Sequence, residues 1–166
     1  LTGSPNYAGG TQVLGGTLQA TQWLPAARVQ VEANLGGDVY VGSAGTLDAV
    51  PGMYGSLVNA GTVVVKGGNT EVGSDYTQTA TGILSVSLGS ILDVSGNAQL
   101  AGTLNVLGAD SGYVTSSHQD VLTANGVING TFAQFTQSPG VFLNTTIQYA
   151  SNSVWLDTTS LSITQA

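Results

Sequence analysis

The chain has 166 residues, the size of one domain, with two basic residues, nine acidic residues and a formal net charge of -7. Phosphate groups are neutralised by clustered lysine and arginine, so we expect no nucleic-acid partner and no docking on an anionic membrane surface. Cysteine is absent, which excludes disulfides, zinc–thiolate sites and a cysteine nucleophile.

The N-terminal part of the chain carries few signals of regular structure. It begins with Leu1 rather than methionine, so we expect a piece of a longer protein. One short helix is predicted over residues 22–27, although Pro25 lies inside it. Apolar runs are far shorter than the roughly 20 residues of a membrane-spanning helix, so no membrane-spanning segment is expected.

The middle of the chain is dominated by strand signals. Short runs rich in β-branched residues predict strands over 62–65, 82–88 and 91–94, each bounded by glycine, asparagine or aspartate. In the second run, Leu84 and Val86 alternate with serine. This alternation predicts a strand with one buried face and one small polar face.

A repeated triplet is the strongest signal of architecture. Glycine, a small or apolar residue and an apolar residue recur, and Gly61, Gly82 and Gly102 begin three such triplets about 20 residues apart. A period near 20 residues with strands and no helix predicts a parallel β-helix, whose coils pair with the coils above and below. The alternative, a sandwich of antiparallel hairpins, fits the strand lengths but not the recurring triplets.

The pattern changes near residue 108, where the triplets become more widely spaced and aromatic residues more frequent. Two apolar runs, 147–149 and 154–156, flank a polar segment and predict a β-hairpin. Because a stack of coils needs an atypical end to hide its open edge, we assign parallel coils to 1–107 and a C-terminal cap to 108–166. Trp155 is predicted to lie in the core of this cap, and Trp23 to matter less.

Four segments resemble a known family in order and spacing. Residues 55–65 (GSLVNAGTVVV) resemble the G-x-L-x-N-x-G-T rung of autotransporter passenger domains, and residues 75–86 (DYTQTATGILSV) are similar to a motif of their pertactin-like C-terminal region. Residues 92–106 look like the rung that follows, and residues 121–132 resemble the step into the cap. The resemblance covers about 54–160.

The resemblance implies an all-β protein, a right-handed single-stranded parallel β-helix with a C-terminal β-hairpin cap. It implies type V secretion through the periplasm and outer membrane of a Gram-negative bacterium to the cell surface. The implied role is that of the autochaperone region, a non-enzymatic end-module that nucleates and stabilises folding of the passenger. Implied partners are the translocator β-barrel of the parent chain, expected after Ala166, and the outer-membrane assembly machinery.

The residues expected to carry this role are inward apolar positions of the coils and aromatic residues of the cap. They are Leu84, Val86, Leu104, Val106, Phe132, Tyr149 and Trp155. No cofactor and no metal ion are expected.

Two other functions remain open on the sequence. The first is an adhesive surface, or virulence factor, that binds a host partner directly. The second is a β-helix carbohydrate-active enzyme, which would need two carboxylates at a suitable separation. Against the enzyme, Asp48, Asp75 and Asp93 stand beside turn residues, where aspartate favours the local backbone. His118, the single histidine, is expected in a polar loop as a solvated side chain rather than as the base of a Ser-His-Asp triad.

Overall fold

The computed structural model describes residues 10–19, 37–48, 50–111 and 118–163, which form β-strands and no helix. Nothing in these ranges is a helix long and apolar enough to cross a membrane. The expected helix over 22–27 and Trp23 lie outside the described residues. The strands are β1 Thr11–Gln19, β2 Val39–Asp48, β3 Gly52–Met53, β4 Leu57–Asn59, β5 Thr62–Val65, β6 Thr70–Val72, β7 Tyr76–Gln78, β8 Ile83–Leu88, β9 Leu92–Val94, β10 Ala98–Leu100, β11 Thr103–Ala109, β12 His118–Ala124, β13 Ile128–Gly130, β14 Gln134–Gln137, β15 Val141–Tyr149 and β16 Ser153–Ile163.

Three stacks of parallel strands run through the molecule. The first stack is β4, β7, β10 and β13, the second is β5, β8, β11 and β14, and the third is β3, β6, β9 and β12. The long strand β2 pairs with both β4 and β5, which joins the first two stacks into one curled sheet. The prediction of parallel pairing is confirmed, and the antiparallel sandwich is wrong. We call three consecutive strands, one from each stack, a repeat.

The glycines of the repeated triplets stand where each repeat enters the second stack. A Cβ atom on Gly82 would lie 2.4 Å from the carbonyl oxygen of Asn59, and one on Gly102 would lie 2.2 Å from that of Gly82. Gly102 also has a φ of +65°, a conformation that glycine adopts at little cost. The triplets recur because adjacent repeats approach each other too closely at this corner for any side chain.

The core is made of apolar columns in which each repeat places a side chain on its neighbour. Leu84 lies beside Leu104, and Val86 beside Val106, and all four are fully buried, as their alternation predicts. The serines between the inward residues of β8 are also buried. Ser85, for example, lies within 3.4 Å of the amide nitrogen of Asn105 on the next strand, so the expected polar face is covered by its neighbours.

A ladder of side-chain acceptors joins the repeats at the corner before the first stack. Asp38 Oδ1 accepts the N–H of Ser56, and Ser56 Oγ accepts that of Asp75, at 2.8 and 3.3 Å. Asp75 Oδ1 accepts the N–H of Asn97, whose Oδ1 accepts that of Val127, at 2.8 and 2.9 Å. Each of these bonds satisfies a backbone N–H group at the corner that takes no part in the pairing between strands.

The parallel stacks extend beyond residue 107, the expected end of the coils. Strands β12, β13 and β14 add one more repeat, and antiparallel pairing begins only with β16 against β12. The hairpin predicted around residues 150–153 is present, with β15 and β16 joined by a short turn. Ala150 N–H donates to Ser153 O across this turn at 2.9 Å.

Candidate functional site

The C-terminal end of the third stack is closed by the β15–β16 hairpin. β16 runs antiparallel to β12, so the last parallel strand of this stack has its outer edge paired. The hairpin turn also contacts the segment that joins β12 to β13. The N–H groups of Ala124 and Ile128 donate to Asn152 O and Ser151 O at 2.9 and 2.8 Å. An exposed strand edge can recruit further strands, and this hairpin covers the edge of β12. At the same end of the molecule, β13, β14 and β15 are the outermost strands among the described residues.

The inner face of the hairpin is packed into the same core as the repeats. Val154 and Leu156 are fully buried, as are Val121 and Leu122 on β12. Two apolar side chains of this size contribute several kcal/mol of burial, at about 1.5–3 kcal/mol each. The hairpin is therefore a part of the hydrophobic core.

Phe132 and Tyr149 connect the hairpin to the segment between the first and second stacks. Phe132 is buried, and its backbone N–H donates to Tyr149 Oη at 3.1 Å. Burial raises the pKa of Tyr149 above its usual value, and the bond from Phe132 lowers it in part. Both expected cap residues thus lie at the junction between the repeats and the hairpin.

The prediction that Trp155 lies in the core is wrong. Trp155 is half-buried on the outer face of β16, because its neighbours Val154 and Leu156 occupy the inward positions. Its ring stacks on the His118 ring with centroids 5.1 Å apart, and its Nε1 donates to Asp157 Oδ1 at 3.1 Å. Trp155 therefore covers the outside of the β12–β16 pair and does not fill the interior.

His118 opens strand β12 and is not in the polar loop that the sequence indicated. Its ring is exposed, with Nε2 3.2 Å from Asp120 Oδ1 and Nδ1 4.0 Å from Asp157 Oδ1. Both ring nitrogens face carboxylates, whereas a general base needs one nitrogen directed at the group that it deprotonates. This geometry suits a polar surface contact between the imidazole ring and the carboxylates of Asp120 and Asp157.

The carboxylates considered for glycan hydrolysis each have a local partner. Asp48 Oδ1 is 3.2 Å from Lys66 Nζ, and Asp93 Oδ1 accepts the hydroxyl of Thr123 at 3.0 Å. Asp75 binds the backbone in the corner ladder, as the turn interpretation predicts. In the part of the chain that the structure describes, no three histidine or acidic side chains are grouped so that they could hold a metal ion.

A buried polar network lies at the corner between the first and second stacks. Tyr76 Oη donates to Gln78 Oε1 at 2.5 Å and accepts from Asn59 Nδ2 at 3.3 Å, and all three side chains are at most 1% exposed. Burial raises the pKa of Tyr76 far above its usual value, and the bond from Asn59 lowers it in part. The three residues belong to two successive repeats, since Asn59 ends β4 while the other two lie on β7.

The amides of this network also bind the backbone of the strands on either side. Asn59 Nδ2 donates to Ile83 O at 2.9 Å, and its Oδ1 accepts the N–H of Gly61 at 3.1 Å. Gln78 Nε2 lies 2.9–3.0 Å from three backbone carbonyl oxygens, those of Gly82, Ala101 and Thr103. Asn59, Tyr76 and Gln78 fall within the motifs at residues 55–65 and 75–86, and sequence reasoning gave them no role of their own. The signal was an uncharged polar residue at an inward position of two consecutive repeats.

Comparison of the chain with protein family models, with curated proteins and with solved structures finds no match.

Proposed function

We propose that this chain is the C-terminal end-module of an autotransporter passenger, which folds first outside the outer membrane and templates the rest. In this proposal the parallel strands form a right-handed single-stranded β-helix that is closed by a β-hairpin. It acts without catalysis and at the bacterial cell surface. Its partners are the translocator barrel of the parent chain and the outer-membrane assembly machinery.

The observation that carries the proposal is the difference between the two ends of the stacks. At the C-terminal end, the hairpin pairs with β12 and buries Val154 and Leu156 in the core. At the other end, β1 and β3 are the outermost strands among the described residues. The third stack, closed by the hairpin beyond β12 and ending in a parallel strand at β3, can accept the next parallel strand at its β3 end only.

The physical advantage of such a module lies in the kinetics of parallel pairing. Parallel strands close long loops before any contact stabilises them, so they form slowly and are open to aggregation. A preformed edge lowers that cost for the next repeat, because the partner strand is already in place. The repeat-to-repeat spacing of about 20 residues keeps each new loop short.

The role of the β15–β16 hairpin is tested in the parent protein by disrupting its packing against the core. Leu156→Ser, which places a hydroxyl in the core, should leave the barrel inserted but give a surface passenger that protease digests. The matched control is Thr159→Ser, at an exposed position on the same strand. A protease-resistant, normally displayed Leu156→Ser passenger would overturn the proposal, as would a gene with no barrel-coding segment after Ala166.

A further inference from the structure

We propose that Asn129 is a site of spontaneous deamidation in the folded protein, whereas the fold protects Asn125, the other asparagine that precedes a glycine. The modification converts the side-chain amide of Asn129 to a carboxylate. The inference depends on the backbone hydrogen bonds of the last repeat alone, and it holds whether or not the chain is secreted.

The chemistry needs an asparagine, an available backbone nitrogen on the next residue, and water. That nitrogen attacks the asparagine Cγ, so that a new N–Cγ bond forms and the Cγ–Nδ2 bond breaks. The proton of the attacking N–H leaves with the amide nitrogen as ammonia. Water then opens the cyclic imide at either carbonyl carbon and gives aspartate or isoaspartate. Glycine is the most favourable next residue, because no side chain shields its nitrogen.

Two of the ten asparagines precede a glycine, and both lie in the last repeat. The first pair is Asn125–Gly126, after β12, and the second is Asn129–Gly130, at the end of β13. Both asparagine side chains are exposed. Sequence and exposure therefore do not distinguish the two pairs, and the difference between them lies in the hydrogen bonds of the backbone.

The first pair is bound to the preceding repeat. The N–H of Gly126 donates to Gly96 O at 2.9 Å. The N–H groups of Asn125 and Val127, on either side of it, also donate to acceptors of the preceding repeat at 2.9 Å. A nitrogen held in this way can attack only after the segment opens locally, and that opening costs free energy.

The second pair lies on an open strand edge. The N–H of Ile128 points away from β10 and donates to Ser151 O at 2.8 Å. Because N–H groups alternate in direction along a strand, the N–H of Gly130 points to the same outer side. β13 is an outermost strand among the described residues, so no further strand accepts a bond from Gly130 there. The nitrogen that must attack Asn129 is therefore not held by strand pairing.

The experiment incubates the folded 166-residue chain in neutral buffer for several weeks. Anion exchange separates the product, because each deamidation adds one negative charge, and mass spectrometry of a peptide digest locates the modified residue. We expect Asn129 to be converted at least about tenfold faster than Asn125, since Gly126 must first open. In denaturant, where neither nitrogen is held, the two rates should agree within about threefold.

Asn129→Gln and Asn125→Gln are the matched variants, because glutamine keeps the amide but its longer side chain forms a cyclic imide much more slowly. In the folded chain, Asn129→Gln should remove most of the acidic product, and Asn125→Gln should leave its amount unchanged.

Equal conversion of the two asparagines in the folded chain overturns the proposal, because both would then react through unfolding of the whole chain. An acidic product that persists undiminished in Asn129→Gln also overturns it. So does a folded chain that forms no product during the time in which the denatured chain reacts completely, because the fold would then protect Asn129 as well.

Discussion

The hydroxyl of Tyr76 donates a hydrogen bond to Gln78 Oε1 at 2.5 Å in a part of the core where both side chains are almost completely buried. The two residues are neighbours on the inward face of β7, and the glutamine amide continues the contact to the backbone of the next repeat. The same short strand thus supplies a polar link in both directions along the stack. Several of the predictions below concern this pair.

Replacing Gln78 with leucine should lower the free energy of unfolding by at least about 2 kcal/mol. The substitution removes the bond to Ala101 O and leaves the hydroxyl proton of Tyr76 without its acceptor, and each buried unsatisfied group costs about 1–3 kcal/mol. Gln99→Leu, at an exposed position of the adjacent strand, is the control and should change stability by about 0.5 kcal/mol or less. Denaturant unfolding of the two variants checks this, and equal effects would contradict the structural role given to Gln78.

The stability of the chain should fall at alkaline pH. A tyrosine in the unfolded chain ionises near pH 10, whereas burial raises the pKa of Tyr76 in the folded protein. The folded state therefore keeps a proton that the unfolded state loses. The contribution of Tyr76 is complete below about pH 10 and is lost as pH rises toward the folded pKa, with a slope of up to about 1.4 kcal/mol per pH unit.

Tyr76→Phe should remove most of that slope, because phenylalanine has no proton to lose. The remaining slope includes Tyr149, whose pKa burial also raises. The free energy of unfolding of both chains, measured at intervals between pH 8 and pH 11, checks the prediction. A slope in Tyr76→Phe as steep as in the wild type would show that Tyr76 is not the group responsible.

On strand β16, Leu156→Ala should cost far more stability than Trp155→Ala. Leu156 is fully buried, and truncating a buried leucine costs about 2–5 kcal/mol. Trp155 lies on the outer face against His118, so its truncation should cost about 1 kcal/mol or less. Thermal or denaturant unfolding of the two variants compares their stabilities. A larger loss of stability in Trp155→Ala than in Leu156→Ala would show that Trp155 lies in the interior.

Trp155 also shows what the sequence could and could not predict. The repeats and the parallel pairing follow from the 20-residue period, and the burial of Leu84 and Val86 follows from simple alternation. On β16, however, Val154, Trp155 and Leu156 are all apolar, so either face could be inward. Pairing with β12 determines which face of β16 points inward. Asp157, two residues after Trp155 and on the same face, was the one sequence signal that this face is exposed.

The polar network was beyond sequence reasoning for a different reason. Asn59 and Gln78 look like turn-forming or surface residues when each is considered alone. Their burial depends on how two repeats stack, and their hydrogen bonds connect residues up to 25 positions apart. Only the three-dimensional register brings the two amides to the same tyrosine.

Gly102→Ala should be strongly destabilising, by about 3 kcal/mol or more. Its Cβ would lie 2.2 Å from a backbone oxygen, and the residue has a φ of +65°, so both contact and conformation are strained. Gly15→Ala is the matched control, because a Cβ on Gly15 meets no atom within 4 Å. Unfolding midpoints of the two variants test this prediction, and a tolerated Gly102→Ala would mean that adjacent repeats can separate at this corner.

Native-state hydrogen exchange of the 166-residue chain tests most directly the claim that the end closed by the β15–β16 hairpin is the stable folding seed. Protection reports the free energy needed to open each segment. The account predicts that amides of β12 and β16 exchange at the slowest, globally limited rate and that those of β1 exchange faster. If the β12 and β16 amides exchanged faster than those of β1, the hairpin would be a loosely attached end, and the proposed autochaperone role would lose its physical basis.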